Sequence, residues 1–427
     1  MKRSLGKTLY AVLAIMIVAG LLLSGCAKAE PAPAVPSTPD QPSPSDPKPS
    51  TAPAPEPAPY VWPKTLTVSS QGPESVGYPL DVAWSTALAE GTGMEVRLVS
   101  ETDATTSYTW IRQGRLDLGF FEFGQGQSLE GTTTWATRDL GPWQMRLWWP
   151  HGKGGRGYAV RGDSGLEKPS DLKPGVRVIY HDFIGPMGRM FGEAIVAWAG
   201  LKSEDVEWIP ANSIAATSTL LMEGKGDVVV GWPSSPQWLE VEASPHGLAW
   251  LTLDAKAEPE AAARFTTVDA SADFGLMVLG VPSARNVPMI VTIPSMCTAA
   301  DRDVELVYNL VKWMDENHDA YKDKHPYCEA MTLDTMMELA EIEFVPLHDG
   351  VIQYLTEKGL WTADHQKRQD ANIALMTSYV DAYAEAIAKA DAADIKVVPT
   401  NEDWLKLWED YKVEKGLAKF ALWKTFP

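Results

Sequence analysis

The side chains with the most chemical potential in this chain fall into four short segments, each following an apolar run. They are 69–78 with Gln71, Gly77 and Tyr78; 122–125 with Glu122 and Phe123; 181–189 with His181, Asp182, Gly185, Met187, Gly188 and Arg189; and 232–235 with Trp232. Two segments run into helix starts, Gly77-Tyr78-Pro79 and Gly185-Pro186-Met187-Gly188, where unpaired backbone N–H groups and the helix dipole favour an anion. Arg189 adds to that expectation, because a cation in a first helical turn is unfavourable unless something negative sits beside it. Pairing with Glu193 on the next turn is the alternative. The chemistry predicted is non-covalent capture of a small carboxylate. His-Glu-x-x-His, Gly-x-Ser-x-Gly and Cys-x-x-Cys spacings do not occur, so hydrolytic and redox catalysis lose their usual support and no catalytic residue is assigned. No cluster has convincing metal-ligand spacing, His181-Asp182 with Glu122 coming nearest, and no cofactor is expected.

These segments must be positioned by a scaffold, and the sequence repeats one. Leu66 to Ser70 reads as a strand followed by a helix opening at Gly77 and stopping at Gly91; Val176 to Tyr180 reads as a strand followed by a helix opening at Gly185 and stopping at Gly200. Proline at a first helical position and glycine past the last are the expected punctuation. Further on, Gly114-Arg115-Leu116-Asp117-Leu118-Gly119 parallels Gly224-Lys225-Gly226-Asp227-Val228-Val229, with the two aspartates 110 positions apart. Strands alternating with helices imply parallel-rich sheets with helical faces, and such sheets bind ligands beyond the carboxyl ends of their strands. The prediction is an α/β chain of two lobes with a ligand cleft between them.

The ordered motifs resemble the TAXI subfamily of solute receptors serving tripartite ATP-independent periplasmic (TRAP) transporters. The resemblance covers roughly residues 66–361. It rests on Gly77-Tyr78-Pro79-Leu80, on Gly114 to Phe120 as a Gly-x-x-Asp-Leu-Gly-Phe block, on Lys168 to Lys173, and on Phe344-Val345-Pro346-Leu347-His348-Asp349-Gly350 followed by Tyr354 to Gly359. It implies a type II periplasmic-binding-protein-like fold, a small carboxylate or dicarboxylate ligand such as glutamate, and delivery to an ion-gradient-driven TRAP permease. The chain departs from the family pattern at Gln71 to Val76, where an acidic residue enters a glycine-rich loop, and at Gly185 to Arg189, which loses two hydroxyls and gains a cation. Asp349 stands where proline is usual.

Two crossings are predicted, near 147–160 and 285–293, with Gly152, Gly154, Gly155 and Gly157 supplying backbone freedom for a hinge. The expected division is residues 64–150 and 286–361 in the first lobe, 151–285 in the second, and 362–427 as a C-terminal helical extension that packs on a lobe or meets a partner. Most of the 17 tryptophans, including Trp110, Trp143, Trp148 and Trp149, read as core; Trp232, after the apolar run 228–230 and before Pro233, reads as cleft.

The N-terminus determines where this scaffold works. Lys2, Arg3 and Lys7 precede an uncharged run from Leu9 to Leu23, which ends at Leu23-Ser24-Gly25-Cys26. That is the layout of a lipoprotein signal peptide over residues 1–26, with Cys26 as the lipidation site; about 15 apolar residues fall short of the ~20 needed to span a membrane. From Pro31 to Pro63 there are 13 prolines and no apolar periodicity, so residues 27–63 form a semi-rigid spacer reaching at most ~100 Å. The prediction is a monomer outside the cytoplasm, in the periplasm or at the cell surface, touching the membrane only through its anchor. A net charge of −19 argues against nucleic acid as a partner. A tethered sensor presenting its solute to a receptor kinase is the alternative use of the same scaffold. Cys297 and Cys328 either pair or stay buried as thiols.

Overall fold

A computed structural model describes residues 59–73, 75–100, 104–121, 124–270 and 272–422. Cys26, residues 27–58 of the proline-rich spacer, Glu122 and Phe123 lie outside the described residues. The first lobe opens with β1 (Thr65–Ser70), α1 (Gly77–Thr92), β2 (Glu95–Ser100), α2 (Ala104–Arg112), β3 (Leu118–Phe121), α3 (Gln125–Glu130) and β4 (Met145–Pro150). The chain then crosses to the second lobe, which runs β5 (Gly154–Arg161), β6 (Arg177–His181), α4 (Pro186–Trp198), β7 (Glu207–Ala211), α5 (Ile214–Met222) and β8 (Val228–Gly231). It continues through α6 (Gln237–Ala243), β9 (Leu248–Trp250), α7 (Pro259–Val268), β10 (Asp273–Leu276) and β11 (Pro288–Thr292). A second crossing returns to β12 (Ser295–Ala299), followed by α8 (Val304–Glu316), α9 (Leu333–Ile342), α10 (Asp349–Glu357), α11 (Ala363–Ala392) and α12 (Glu402–Lys415).

Each lobe is built on one sheet, and the two sheets share a strand order. The first reads β2-β1-β3-β12-β4; the second reads β7-β6-β8-β5-β11-β10, with β9 also pairing β5. In each, three strands are parallel and the fourth runs antiparallel to its neighbours. That fourth strand is the one entering directly from a crossing, β12 in the first lobe and β5 in the second. A chain arriving from the hinge reaches the sheet at the end where the parallel strands finish, so it must run back along them. The sheets are therefore mixed, and the architecture is the two-lobed α/β arrangement expected from the repeat.

The two repeated aspartates have the same structural task. Asp117 Oδ2 accepts from the Thr67 backbone N–H at 2.8 Å while Thr67 O accepts from the Asp117 N–H at 3.0 Å. Asp227 Oδ2 accepts from the Arg177 N–H at 2.8 Å, and Arg177 O accepts from the Asp227 N–H at 2.8 Å. Each carboxylate thus fastens the start of its lobe's central strand to the strand 50 positions later, as a charge-assisted bond to backbone.

The cores follow the same division. One apolar cluster gathers Leu66, Trp84, Leu118, Trp148 and Trp149 with Leu310, Tyr354, Tyr379 and Trp404; two others fill the second lobe around Val178, Phe191, Trp198 and Val230, and around Ile179, Trp238 and Met289. Each fully buried Leu, Val or Ile contributes about 1.5–3 kcal/mol. Trp143, Trp148 and Trp149 are core residues, and Trp110 carries the Arg115 guanidinium at 4.6 Å.

Several details differ from the sequence-based expectations. Helix α1 does not stop at Gly91; it runs to Thr92 and ends at Gly93, which takes φ +76°. Gly91 is glycine because a Cβ there would meet the Trp313 ring at 2.8 Å. The second crossing is only Ile293-Pro294, since 288–292 pairs antiparallel with β5 and β10 inside the second sheet and not in the first lobe. In the first crossing only Gly152 takes a left-handed backbone, φ +93°; Gly154 and Gly155 are required by close approach of Tyr327 and of the Ile290 carbonyl. The C-terminal extension packs on the first lobe: Trp404 Nε1 donates to Ala136 O, Trp408 Nε1 to Glu130 O and Tyr383 Oη to Thr137 O. Cys297 and Cys328 are unpaired and buried, and burial pushes the Cys328 thiol up to about 12 and Cys297 higher still.

Candidate functional site

A cleft of about 500 Å³ lies between the lobes at the carboxyl ends of their parallel strands. Of the residues singled out from sequence, Gln71, Gly77, His181 and Trp232 line it. Gln71 follows β1 and its side chain lies against the start of α1, where a Cβ on residue 77 would meet Gln71 Oε1 at 2.7 Å, so a larger residue there would displace the Gln71 side chain. Val76 caps α1 without a side-chain hydrogen bond; the Tyr78 N–H is taken by Ser75 Oγ and Pro79 has none, so the Gly77 N–H is the first-turn donor left for an acceptor.

The remaining predicted residues stand nearby or elsewhere. Tyr78 lies one residue past the lining and donates its N–H to Ser75 Oγ at 3.3 Å. Asp182 is exposed in a single 3-10 turn ahead of α4. Gly185 takes φ +62° to start that helix, and Gly188 lets it seat on β6, since a Cβ would fall 1.9 Å from His181 O. Met187 packs against the cores of both lobes. Arg189 faces away from the cleft: its Nε donates to Glu193 Oε1 at 2.9 Å, its Nη2 to Ser203 Oγ at 3.0 Å, and its guanidinium sits 3.4 Å above the Trp208 ring. The Glu193 alternative is the arrangement found, because the i,i+4 partner and the Trp208 face lie on the outer side of α4.

Other lining residues were not anticipated. Asn212, Ser213, Ile214 and Ala215 bring a second helix start, that of α5, to the cleft. Ser213 Oγ caps its own helix by accepting from the Ala216 N–H at 3.1 Å, leaving the N–H groups ahead of it unmet. The repeat itself pointed here: 110 residues before Ile214 is Ala104, the first residue of α2. Phe120, His151 and Tyr327 from the first lobe and Phe183 from the second supply rings. Tyr327 lies far along the chain in a short 3-10 segment, with no local sequence signal.

His151 forms the floor. It follows β4 at the first crossing, and its Nε2 lies 2.7 Å from Asp81 Oδ1. Asp81 is fully buried and also accepts from Ser70 Oγ at 2.6 Å and Trp84 Nε1 at 2.9 Å. Three donors on one carboxylate compensate its loss of water, and they fix the imidazole ring, which lies 4.4 Å from Phe120.

His181 contrasts with it. The ring is 2% exposed and neither nitrogen has a hydrogen-bond partner of normal geometry. It stacks on Phe183 at 5.3 Å and tilts against Trp232 at 5.6 Å. Burial lowers its pKa to about 4, against a smaller opposing influence of the Val230 backbone, so the ring is neutral at pH 7. No lysine or arginine lines the cleft among the described residues.

The lobes also touch directly. Tyr327 Oη donates to Ser234 Oγ at 3.0 Å on one side and Gln127 Nε2 meets Met190 Sδ at 3.3 Å on the other. The crossings are tied where His151 N–H donates to Pro294 O at 2.6 Å.

The model of the NMT1-like family matches residues 280–359. This chain is also 26% identical over 245 residues to a glyceraldehyde-3-phosphate dehydrogenase from Mycobacterium avium, covering 53% of this chain and 63% of that protein, so it spans less than two thirds of that relative. Among solved structures it is similar to an ancestral arginine-binding protein bound to arginine, with TM-score 0.38, 14% identity, and coverage of 61% of this chain and 96% of that one. It is similar too to a binding component of an ABC transporter from Wolinella succinogenes complexed with lysine, with TM-score 0.39, 11% identity, and coverage of 61% and 94%.

One run invites a dinucleotide reading. Gly152, Gly154 and Gly157 fit the Gly-x-Gly-x-x-Gly spacing, which requires a loop between a strand and a helix N-terminus. Here the run lies in the first crossing and in β5, and no helix follows. No group of three or more His, Cys, Asp or Glu side chains suited to a metal occurs among the described residues, and none of the described helices is long and apolar enough to cross a membrane.

Proposed function

We propose that this chain is an extracytoplasmic solute receptor: it captures a small organic solute between its lobes and releases it to a membrane partner without changing it covalently. The observation that carries this reading is the cleft of about 500 Å³ between lobes joined by two short crossings, a volume within the ~300–1,000 Å³ of small-molecule sites. The expected handle on the solute is a carboxylate, seated at the starts of α1 and α5, with Gln71, Gly77, His181 and Trp232 as contacts. The sequence resemblance makes the partner an ion-gradient-driven TRAP permease. The sequence also supplies the tether, a lipidated Cys26 and a proline-rich spacer.

The test is native mass spectrometry of the protein as purified, compared with its denatured mass. A released small organic molecule, returned unaltered after prolonged incubation, is the expected result. Conversion of that molecule to a product overturns the receptor reading. Co-purification with a permease, lost when Cys26 is replaced only if the anchor is needed, tests the partner.

A further inference from the structure

The rings of the cleft come equally from both lobes. Phe120, His151 and Tyr327 belong to the first, His181, Phe183 and Trp232 to the second, so a solute in the cleft meets rings from both lobes. Phe183 is 39% exposed although it is a large apolar side chain, which leaves unspent area for a ligand to cover. Flat ligands gain most from such an arrangement, because offset and edge-on ring contacts contribute about 0.5–1.5 kcal/mol each beyond area burial.

Charge points the same way. A dicarboxylate would bring two negative charges into a site whose described lining has no lysine or arginine, and the one cation expected near it, Arg189, is held on the outer face of α4. The starts of α1 and α5 carry only partial charge, enough for one anionic or acceptor group. His181 adds a specific demand: its buried neutral imidazole has no hydrogen bond of normal geometry beyond a weak influence of the Val230 backbone, and a group that donates to one nitrogen or accepts from the other satisfies it.

We infer that the cleft selects a planar aromatic solute carrying at most one negative charge, its ring gripped between the aromatic sets of the two lobes and its polar edge met by His181. This rests on the receptor reading and narrows it. Aliphatic diacids, including glutamate, are poor ligands.

The experiment uses the full chain and two probe sets, read by tryptophan fluorescence and thermal shift: indole-3-acetate and benzamide as planar ring solutes, and succinate, 2-oxoglutarate and L-glutamate as aliphatic acids. The expected result is at least tenfold tighter binding of a ring solute than of any aliphatic acid. Phe183→Ala, at a half-exposed position that the fold tolerates, lowers ring-solute affinity at least tenfold. His181→Phe does the same without lowering the melting temperature, since it replaces an unpartnered polar ring by an apolar one. An aliphatic acid that binds as tightly as the ring solutes overturns the aromatic assignment and leaves the receptor intact. If neither set binds, the aromatic assignment fails, and the receptor reading is decided by the solute found by native mass spectrometry.

Discussion

The two lobes use one plan and secure it differently. In the second, the Asp227 carboxylate that fastens the central strand is met by Arg177 of that same strand, with side chains about a third exposed. In the first, the equivalent Asp117 is met by Arg302, 185 residues away on the chain returning from the other lobe, with Nη1 at 3.0 Å and the arginine side chain only 18% exposed. Arg302 Nη2 also donates to Leu116 O at 3.0 Å. The second lobe completes itself locally, whereas the first is unfinished until the second has been made and the chain has come back. The same holds for its core, which recruits α8 to α12.

Substitutions can break that contrast. The largest effect is expected at Trp404, fully buried in the extension and bonded to Ala136 O: Trp404→Ala costs about 3–5 kcal/mol, and chemical denaturation should show the first lobe losing structure while the second keeps its own transition. Next, Asp117→Ala should cost about 2–4 kcal/mol, because the partly buried Arg302 loses its carboxylate partner and the Thr67 N–H and hydroxyl lose their acceptor. Asp227→Ala should cost about 1–2 kcal/mol, since Arg177 can turn to solvent. Equal losses at the two positions would remove the proposed difference.

Titration sharpens the comparison at a smaller scale. His181 in the second lobe has its pKa lowered to about 4 by burial. The unfolded chain therefore takes up the proton first, and stability present above about pH 6.5 is lost as pH falls toward 4. Glu343 in the first lobe is raised to about 7 by burial, despite accepting from the Phe344 and Val345 N–H groups; its contribution is present below about pH 4.5 and lost as pH rises through 7. Each is worth about 1–3 kcal/mol. Melting curves from pH 4 to 8 should flatten on the acid side in His181→Phe and on the neutral side in Glu343→Gln. The smallest effect belongs to Arg189→Ala, under about 1 kcal/mol for a half-exposed i,i+4 pair, with solute affinity unchanged; a large loss of affinity would return Arg189 to the cleft.

Much of the scaffold was legible because it is written locally. The strand runs, the Gly-Tyr-Pro and Gly-Pro helix starts and the 110-residue offset all lie in short stretches, and the offset fixed two equivalent aspartates before any geometry was known. Gln71, Gly77, His181 and Trp232 were found because they follow strands at the sheets' carboxyl ends. His151 and Tyr327 were not, because what brings them together is the hinge and a loop from the far end of the chain. Arg189 misled for a related reason: its position in a first turn is visible in sequence, but which side of the helix it occupies depends on Trp208 and Glu193. Gly154 and Gly155 look like flexibility in sequence and are steric necessities in the fold.

The bond between His151 N–H and Pro294 O couples the two crossings side by side. A pair of separate tethers would let the halves twist, slide and yaw independently. A cross-linked pair of two or three residues each acts as one spindle, confining the halves to swing about a single axis. For the proposed receptor, opening about that axis would uncover the whole cavity at once and part Tyr327 from Ser234 in the same stroke.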